Sequence, residues 1–147
     1  MTTGESSDVA PGTGYSTAIF AGLGAEVVAL ESDPMLAEAI AANLAKIGAK
    51  PVHAHAGSLP AGVPSEAPFD VIFVNGAVET NLDQLFTQLK EGGRLIAVKV
   101  EPLGQTSVKR SHAVRIEKIN RVMSSRYLFD VSAPILNGFQ TGVQFVF

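Results

Sequence analysis

The chain has 147 residues, 46% of them hydrophobic and 17% charged, with no cysteine, no tryptophan and a formal net charge of −3. That length suits one domain burying about two-thirds of its unfolded surface, and the composition is too apolar for a disordered chain. It excludes disulfides, thiolate metal sites and a cysteine nucleophile, and it lacks the basic excess of a phosphate-tracking nucleic-acid binder.

No apolar run approaches the roughly 18–20 residues of a membrane span. Met1–Asp8 has neither a basic start nor an apolar core, so no signal peptide is expected and the cytoplasm is the expected location. Met1–Ser7 reads as a polar tail, and residues 8–147 as one domain. Asp8-Val9-Ala10 ends a short strand, and Pro11-Gly12-Thr13-Gly14 is a tight glycine turn. Tyr15–Leu23 has helical character and stops at Gly24. Ala25–Glu31 is the apolar run of a strand buried on both faces. Asp33-Pro34 caps a helix whose apolar face is Leu36, Ile40, Leu44 and Ile47, and Gly48 ends it.

Pro51–Ala56 is a short strand. Gly57–Pro68 is a loop with room for an extra helix before Phe69. Phe69–Asn75 is the strongest strand signal. Leu82, Leu85, Phe86 and Leu89 mark a second amphipathic helix, broken by Lys90-Glu91-Gly92-Gly93, and Arg94–Val100 is another strand. His112–Ile119 and Val122–Ala133 form a hairpin turning at Asn120-Arg121, and Val143–Phe147 suits a final edge strand. The alternation predicts an open α/β, Rossmann-like sheet, mostly parallel, with a C-terminal antiparallel hairpin.

The chemistry concentrates at Asp8-x-Ala10-x-Gly12-x-Gly14 and Glu31. Glycines let backbone N–H groups approach a ligand, and the following helix adds positive potential. Glu31, at the carboxyl end of the next strand, is placed to accept hydrogen bonds from both ribose hydroxyls of an adenosine. A dinucleotide loop wants a third glycine where Thr17 stands, and Asp8 would repel a pyrophosphate. An acid beside the loop suits a ligand carrying an ammonium and a sulfonium, as in S-adenosylmethionine. His53 and His55 share a strand face, but with no carboxylate or third histidine at useful local spacing no metal site is expected. His112 reads as a polar strand-end residue. Lys109, Arg110, Arg115, Lys118, Arg121 and Arg126 make the last third basic: a solvated hairpin, or else a surface for an acidic partner. Phe129, Phe139, Phe145 and Phe147 read as core or interface residues.

The run Asp8-Val9-Ala10-Pro11-Gly12-Thr13-Gly14-Tyr15-Ser16-Thr17-Ala18 resembles motif I of class I methyltransferases, and in particular the protein-L-isoaspartate O-methyltransferase family. Gln88-Leu89-Lys90-Glu91-Gly92-Gly93-Arg94-Leu95-Ile96 and Phe69-Asp70-Val71-Ile72 with Asn75-Gly76-Ala77 are similar to further segments of that family, at matching spacing. The resemblance covers about residues 8–147. It implies a class I methyltransferase fold that binds S-adenosyl-L-methionine through Asp8, Ala10, Gly12, Thr13, Gly14, Tyr15, Glu31, Ser32, Gly57, Ser58, Asn75 and Gly76. It also implies methyl transfer to a carboxylate of a protein or peptide, and the composition and spacing lead us to expect no nucleic acid, membrane or metal.

The chain departs from the pattern in places. Ala10 replaces the first glycine of motif I, and Glu5-Ser6-Ser7 stand where the family has apolar strand residues. Gly57-Ser58 replaces Gly-Asp, and Val78-Glu79-Thr80-Asn81 lacks an expected proline. Family members carry several dozen residues before motif I, holding part of the substrate surface and a hydroxyl residue associated with catalysis, so the sequence reads as short at its front. No catalytic residue is assigned. Two other readings stay open: a non-catalytic, donor-binding or structural remnant that dimerises through exposed sheet surface as a homodimer, and a nicotinamide-binding Rossmann domain.

Overall fold

The structure, a computed structural model, describes residues 5–12, 14–22, 26–47, 52–102, 104–105 and 108–141. Its elements are β1 (Glu5–Val9), α1 (Tyr15–Gly22), β2 (Glu26–Glu31), α2 (Pro34–Lys46), β3 (His53–Ala56), β4 (Phe69–Val78), α3 (Asp83–Thr87), β5 (Leu89–Pro102), β6 (Lys109–Ile119) and β7 (Val122–Asp130). The strands form one sheet in the order β3-β2-β1-β4-β5-β6-β7. The first five are mutually parallel, and β6 and β7 complete an antiparallel meander. This is the expected doubly wound arrangement with its antiparallel hairpin. Among the described residues no helix is long and apolar enough to cross a membrane.

The expected polar tail is shorter than its sequence suggests. Glu5–Ser7 belong to β1, in the middle of the sheet, with Ser6 and Ser7 buried. Two flanking parallel strands satisfy the backbone there, so small hydroxyl side chains tolerate a site that usually takes apolar ones.

The sheet buries its two faces differently. Against one face, α1 and α2 cover β1 and β2, and Ala29 packs with Ile40 and Leu44 of α2. Against the other lies the main core: Leu30, Ile72, Val74, Leu95, Val114 and Ile116, closed by Leu59, Leu85 and Phe139. Helix α2 starts as its sequence predicts, with the Asp33 carboxylate accepting from the Met35 N–H at 2.9 Å and Pro34 in the first turn. Its buried stripe is Ala37, Ile40 and Leu44. Leu36 is only half-buried, and Ile47 is 67% exposed because it lies past the last helical turn.

Three expectations need correction. The second amphipathic helix is only the five residues of α3, and Leu89 is the first residue of β5. The buried Gln88 side chain fixes this boundary: it accepts from Val63 N–H at 3.1 Å and donates to the Ala61 carbonyl at 2.8 Å, while the Gln88 backbone carbonyl accepts from Phe69 N–H at 2.7 Å. Lys90–Gly93 is therefore a bulge inside β5, not a break. Gly92 has φ +80°, and a Cβ on Gly93 would lie 2.8 Å from the Lys90 carbonyl oxygen. The helix allowed before Phe69 is instead two 3₁₀ turns, Leu59–Ala61 and Pro64–Glu66. His112 is no strand end: it lies inside β6, buried, with its ring 5.6 Å from that of Tyr127. The expected strand Val143–Phe147, with Phe145 and Phe147, lies outside the described residues, as do Gly24 and Gly48.

The segment after β7 returns across the sheet to β4. Ala77 N–H donates to Pro134 O at 3.0 Å and Leu136 N–H to Ala77 O at 2.9 Å, and Phe139 ends fully buried in the core. Phe129, by contrast, is 57% exposed.

The turn joining β6 and β7 holds Asn120 at φ 51° and Arg121 at φ 63°. Two positive φ values are the signature of the tight hairpin turn that favours Asn-Gly. An arginine in the left-handed region costs about 1–2 kcal/mol. We expect Arg121→Gly to raise stability by about 1 kcal/mol, read as a higher urea midpoint with an unchanged slope. An unchanged or lower midpoint would refute this account of the turn.

Candidate functional site

The turn at Ala10, Gly12 and Gly14 follows the carboxyl end of β1, at the edge where open α/β sheets bind ligands. Ala10 N–H donates to Leu30 O at 2.8 Å, which keeps the turn against β2. Ala10, Gly12 and Gly14 all have positive φ, at 63°, 65° and 98°. That geometry explains why motif I favours glycine at its first position; here an alanine carries the strain. A Cβ on Gly14 would also sit 3.4 Å from Ile40, so this glycine lets the loop close on α2.

Two acids frame the turn. Asp8 is fully buried, and its Oδ2 accepts from the Ser16 hydroxyl at 2.7 Å and the Thr17 hydroxyl at 2.8 Å. Its Oδ1 is buried with no hydrogen-bond partner among the described residues. Burial pushes the Asp8 carboxyl up to about 6, and the negative charge of Glu31 adds to the shift; the two hydroxyls oppose it. Glu31 is also buried, and its Oε1 accepts from Gly12 N–H at 2.5 Å. The Gly57 N–H donates to the Glu31 carbonyl at 2.9 Å, which brings the end of β3 to the same edge.

The structure thus brings together Asp8, Ala10, Gly12, Gly14, Glu31 and Gly57. Ser32 and Ser58 follow Glu31 and Gly57 as exposed residues at that edge. Thr13 and the side chain of Tyr15 lie outside what is described. Asn75 and Gly76 stand one strand away, since β1 and β4 run in register up to Val9 and Val74. Gly76 is packed under the return segment, where a Cβ would meet Leu136 at 2.6 Å.

Sequence reasoning missed the role of Ser16 and Thr17. Thr17 stood out only as a missing glycine, although hydroxyls in the first turn after a buried acid are a readable signal. It also missed Glu66, whose carboxylate lies between His53 Nδ1 and His55 Nε2. That pairing raises the pKa of His53 and lowers that of Glu66. The glutamate arrives from a 3₁₀ turn, so no local spacing announces it. The basic hairpin is largely paired: Lys109 with Glu79, Arg110 with Asp130, Arg115 with Glu117, and Lys118 with the Phe86 and Leu89 carbonyls.

Comparison with known proteins agrees with this geometry. The family described as Protein-L-isoaspartate(D-aspartate) O-methyltransferase matches residues 3–132. The Protein-L-isoaspartate O-methyltransferase of Methylorubrum populi is 40% identical over 102 residues, 69% of this chain and 48% of that protein. Its counterpart in Alkalilimnicola ehrlichii is 33% identical over 132 residues, 89% of this chain and 58% of that protein. A solved protein-L-isoaspartate O-methyltransferase superposes with a TM-score of 0.79 at 28% identity, over 91% of this chain and 42% of that one. A Plasmodium falciparum structure, titled as a putative enzyme of this kind in complex with S-adenosyl-L-homocysteine, shares the fold at a TM-score of 0.72 and 22% identity, over 90% of this chain and 65% of that one. The chain spans about half the length of the curated relatives it matches. With the family match extending from before β1 to beyond β7, the chain belongs to the protein-L-isoaspartate O-methyltransferase family.

Proposed function

We propose that this chain binds S-adenosyl-L-methionine at the turn between β1 and α1 and serves methyl transfer to a carboxylate of a protein or peptide, as the names of its relatives suggest, in the cytoplasm. The observation that carries this reading is the pair of buried acids around a glycine turn. Asp8 offers Oδ1, a buried acceptor with no partner among the described residues, which fits a ligand ammonium. Glu31 offers a carboxylate that, among the described residues, accepts from Gly12 N–H alone, which fits two vicinal hydroxyls. The same two charges disfavour a pyrophosphate, and the fully buried Thr17 fills the place of a dinucleotide loop's third glycine. Both features weigh against a nicotinamide dinucleotide.

The donor, when bound, supplies an electrophilic methyl group: an acceptor carboxylate oxygen bonds to that carbon, the carbon–sulfur bond breaks, and its electron pair stays on sulfur. An ionised acceptor needs no proton removed, so the protein's task is alignment and charge placement, not general-base catalysis. Ser16 and Thr17 hold the Asp8 carboxylate in one orientation. Gly12, Gly57, Ser32 and Ser58 shape the edge around Glu31, and Asn75 and Gly76 bound it on the β4 side.

Calorimetry with S-adenosylhomocysteine and with NAD tests the site directly. We expect binding of the first and none of the second; the reverse overturns the reading. Labelled methyl transfer to an isoaspartyl peptide then separates an enzyme from a donor-binding remnant, since binding without turnover supports the remnant.

Glu31→Ala should weaken S-adenosylhomocysteine binding roughly 10–100-fold, the worth of one or two hydrogen bonds to a charged group. An unchanged affinity removes the ribose role.

Asp8 yields a pH prediction. Its pKa is about 6 in the folded chain against 3.8 unfolded. The folded form therefore binds the proton more tightly, and this stabilisation is complete below 3.8 and lost as pH rises to about 6. At neutral pH the buried charge costs about 3 kcal/mol. Asp8→Asn should thus raise the melting temperature of the ligand-free protein at pH 7 while weakening S-adenosylhomocysteine binding. In the wild type, affinity should fall as pH drops through about 6. A ligand affinity flat between pH 5 and 7.5 would contradict the ammonium pairing.

A further inference from the structure

Strand β3 stands at the edge of the sheet. It is four residues long, pairs with β2 alone among the described residues, and none of its residues is buried. Its end nevertheless completes the donor edge. Ala56 lies opposite Glu31, and the next residue, Gly57, donates its N–H to the Glu31 carbonyl at 2.9 Å. His53 and His55 stand opposite Val28 and Leu30, so both imidazoles are on the face of the main core, at its outer rim. Helix α2 packs on the other face of the strand, against Ala54.

Glu66 reaches this rim from a 3₁₀ turn with a firm base. Val63, three residues earlier, is buried, and the Gln88 side chain holds its N–H. The Glu66 carboxylate lies between the two rings, one oxygen to His53 Nδ1 and the other to His55 Nε2. Among the described residues no three such side chains are arranged to hold a metal ion, so what this cluster shares is protons. The hydrogen bond and charge of Glu66 raise the pKa of His53; slight desolvation opposes this, and Glu26 of β2 adds to it. Burial raises the Glu66 carboxyl, but the bonds and charges of the two histidines outweigh it and leave its pKa lowered. Charge-assisted hydrogen bonds are about twice as strong as neutral ones, so the link tightens when His53 is protonated and slackens when it is neutral. The His53 contribution is complete below 6.5 and is lost as pH rises through its raised folded value. The Glu66 contribution is complete above 4.5 and is lost as pH falls through its lowered folded value. The link is therefore full between 4.5 and 6.5 and fades on the alkaline side.

We propose that His53, Glu66 and His55 form a proton-controlled clasp that holds the β3 end of the donor edge in mildly acidic solution and loosens it as pH rises. This regulation rests on the donor reading of Glu31 and Gly57. It gives donor affinity two limbs that belong to different strands. Asp8 in β1 sets the acid limb, where affinity falls as pH drops through about 6. The clasp on β3 sets the alkaline limb, because the Gly57 N–H and Ser58 follow directly from the strand it holds. A short edge strand opens locally more readily than the sheet centre, so a modest change in the clasp is felt there first.

Two measurements test this on the wild type, on Glu66→Gln and on His53→Gln. The first is hydrogen exchange of the amides of residues 54–57 in the ligand-free protein, corrected for the intrinsic rate. Protection in the wild type should fall about threefold from roughly pH 6.5 to 8.5, the worth of a partly exposed ion pair, and stay flat in both variants. The second is calorimetry with S-adenosylhomocysteine over the same range. The wild type should lose affinity by a similar factor, and both variants should lack that loss while keeping the acid limb. Titration of the ligand's own ammonium acts on all three proteins alike. Wild-type protection that does not change with pH, or that changes equally in the variants, overturns the clasp. So does an alkaline loss of affinity that the variants share. If protection responds as expected but S-adenosylhomocysteine binds at no pH, the donor reading fails and the clasp on β3 stands. If S-adenosylhomocysteine binds and protection does not respond, the clasp alone fails.

Discussion

The rest of the molecule depends on the Asp8 carboxylate. It lies at the end of the central strand, takes two hydroxyls from the first turn of α1, and so fixes where that helix begins relative to the sheet. The turn between them is then forced into a left-handed path at Ala10, Gly12 and Gly14. Glu31 closes the other side by accepting from Gly12. A buried acid raised to about 6 is an unfavourable component of the free protein, offset in part by the Ser16 and Thr17 hydroxyls, and in the proposed function a ligand ammonium would compensate it. Fold and proposed site are therefore not separable at this end of the sheet: the carboxylate that orders the first helix is the one proposed to receive the ligand.

A second theme is the unequal treatment of the two faces. The face carrying Ile72, Val74 and Leu95 is sealed by α3, the 3₁₀ turns and Phe139, with Gln88 tying the turn at Ala61–Val63 to the start of β5. Among the described residues the opposite face is sealed by α1 and α2, over β1, β2 and β3. What remains over β4 to β7 is apolar towards the carboxyl ends of the parallel strands and bordered by Arg115 and Arg126. The return segment after β7 adds the upper wall of that region by pairing with Ala77.

Much of this was legible in the sequence. The glycine turn, the Asp33-Pro34 helix start and the β6–β7 hairpin follow from local chemistry, because each is decided by residues within a turn of one another, and Glu31 follows from the order turn, helix, strand. What local reading could not supply is tertiary. Ser6 and Ser7 look like a tail, yet two neighbouring strands hold them in the sheet centre. Lys90–Gly93 looks like a breaker, but the Gln88 bonds and the β4 ladder turn it into a bulge. His53 and His55 look isolated until Glu66 arrives from a separate turn. Leu136 and Phe139 carry no motif, yet they pack over Gly76 and close the core.

The central position of β1 has a kinetic consequence. On the ribosome this strand emerges before both of its neighbours, β2 and β4, and the Glu5 N–H finds the Asp70 carboxylate only after sixty-five more residues have been made. At roughly 5–20 residues per second, that is a delay of some seconds during which the sheet centre has only one edge paired. β5, β6 and β7, joined by short connections, need no such wait. The strand that carries the buried Asp8 carboxylate therefore has both neighbours once β4 is made, so the edge formed by β1 and β2 assembles while β5, β6 and β7 are still to come.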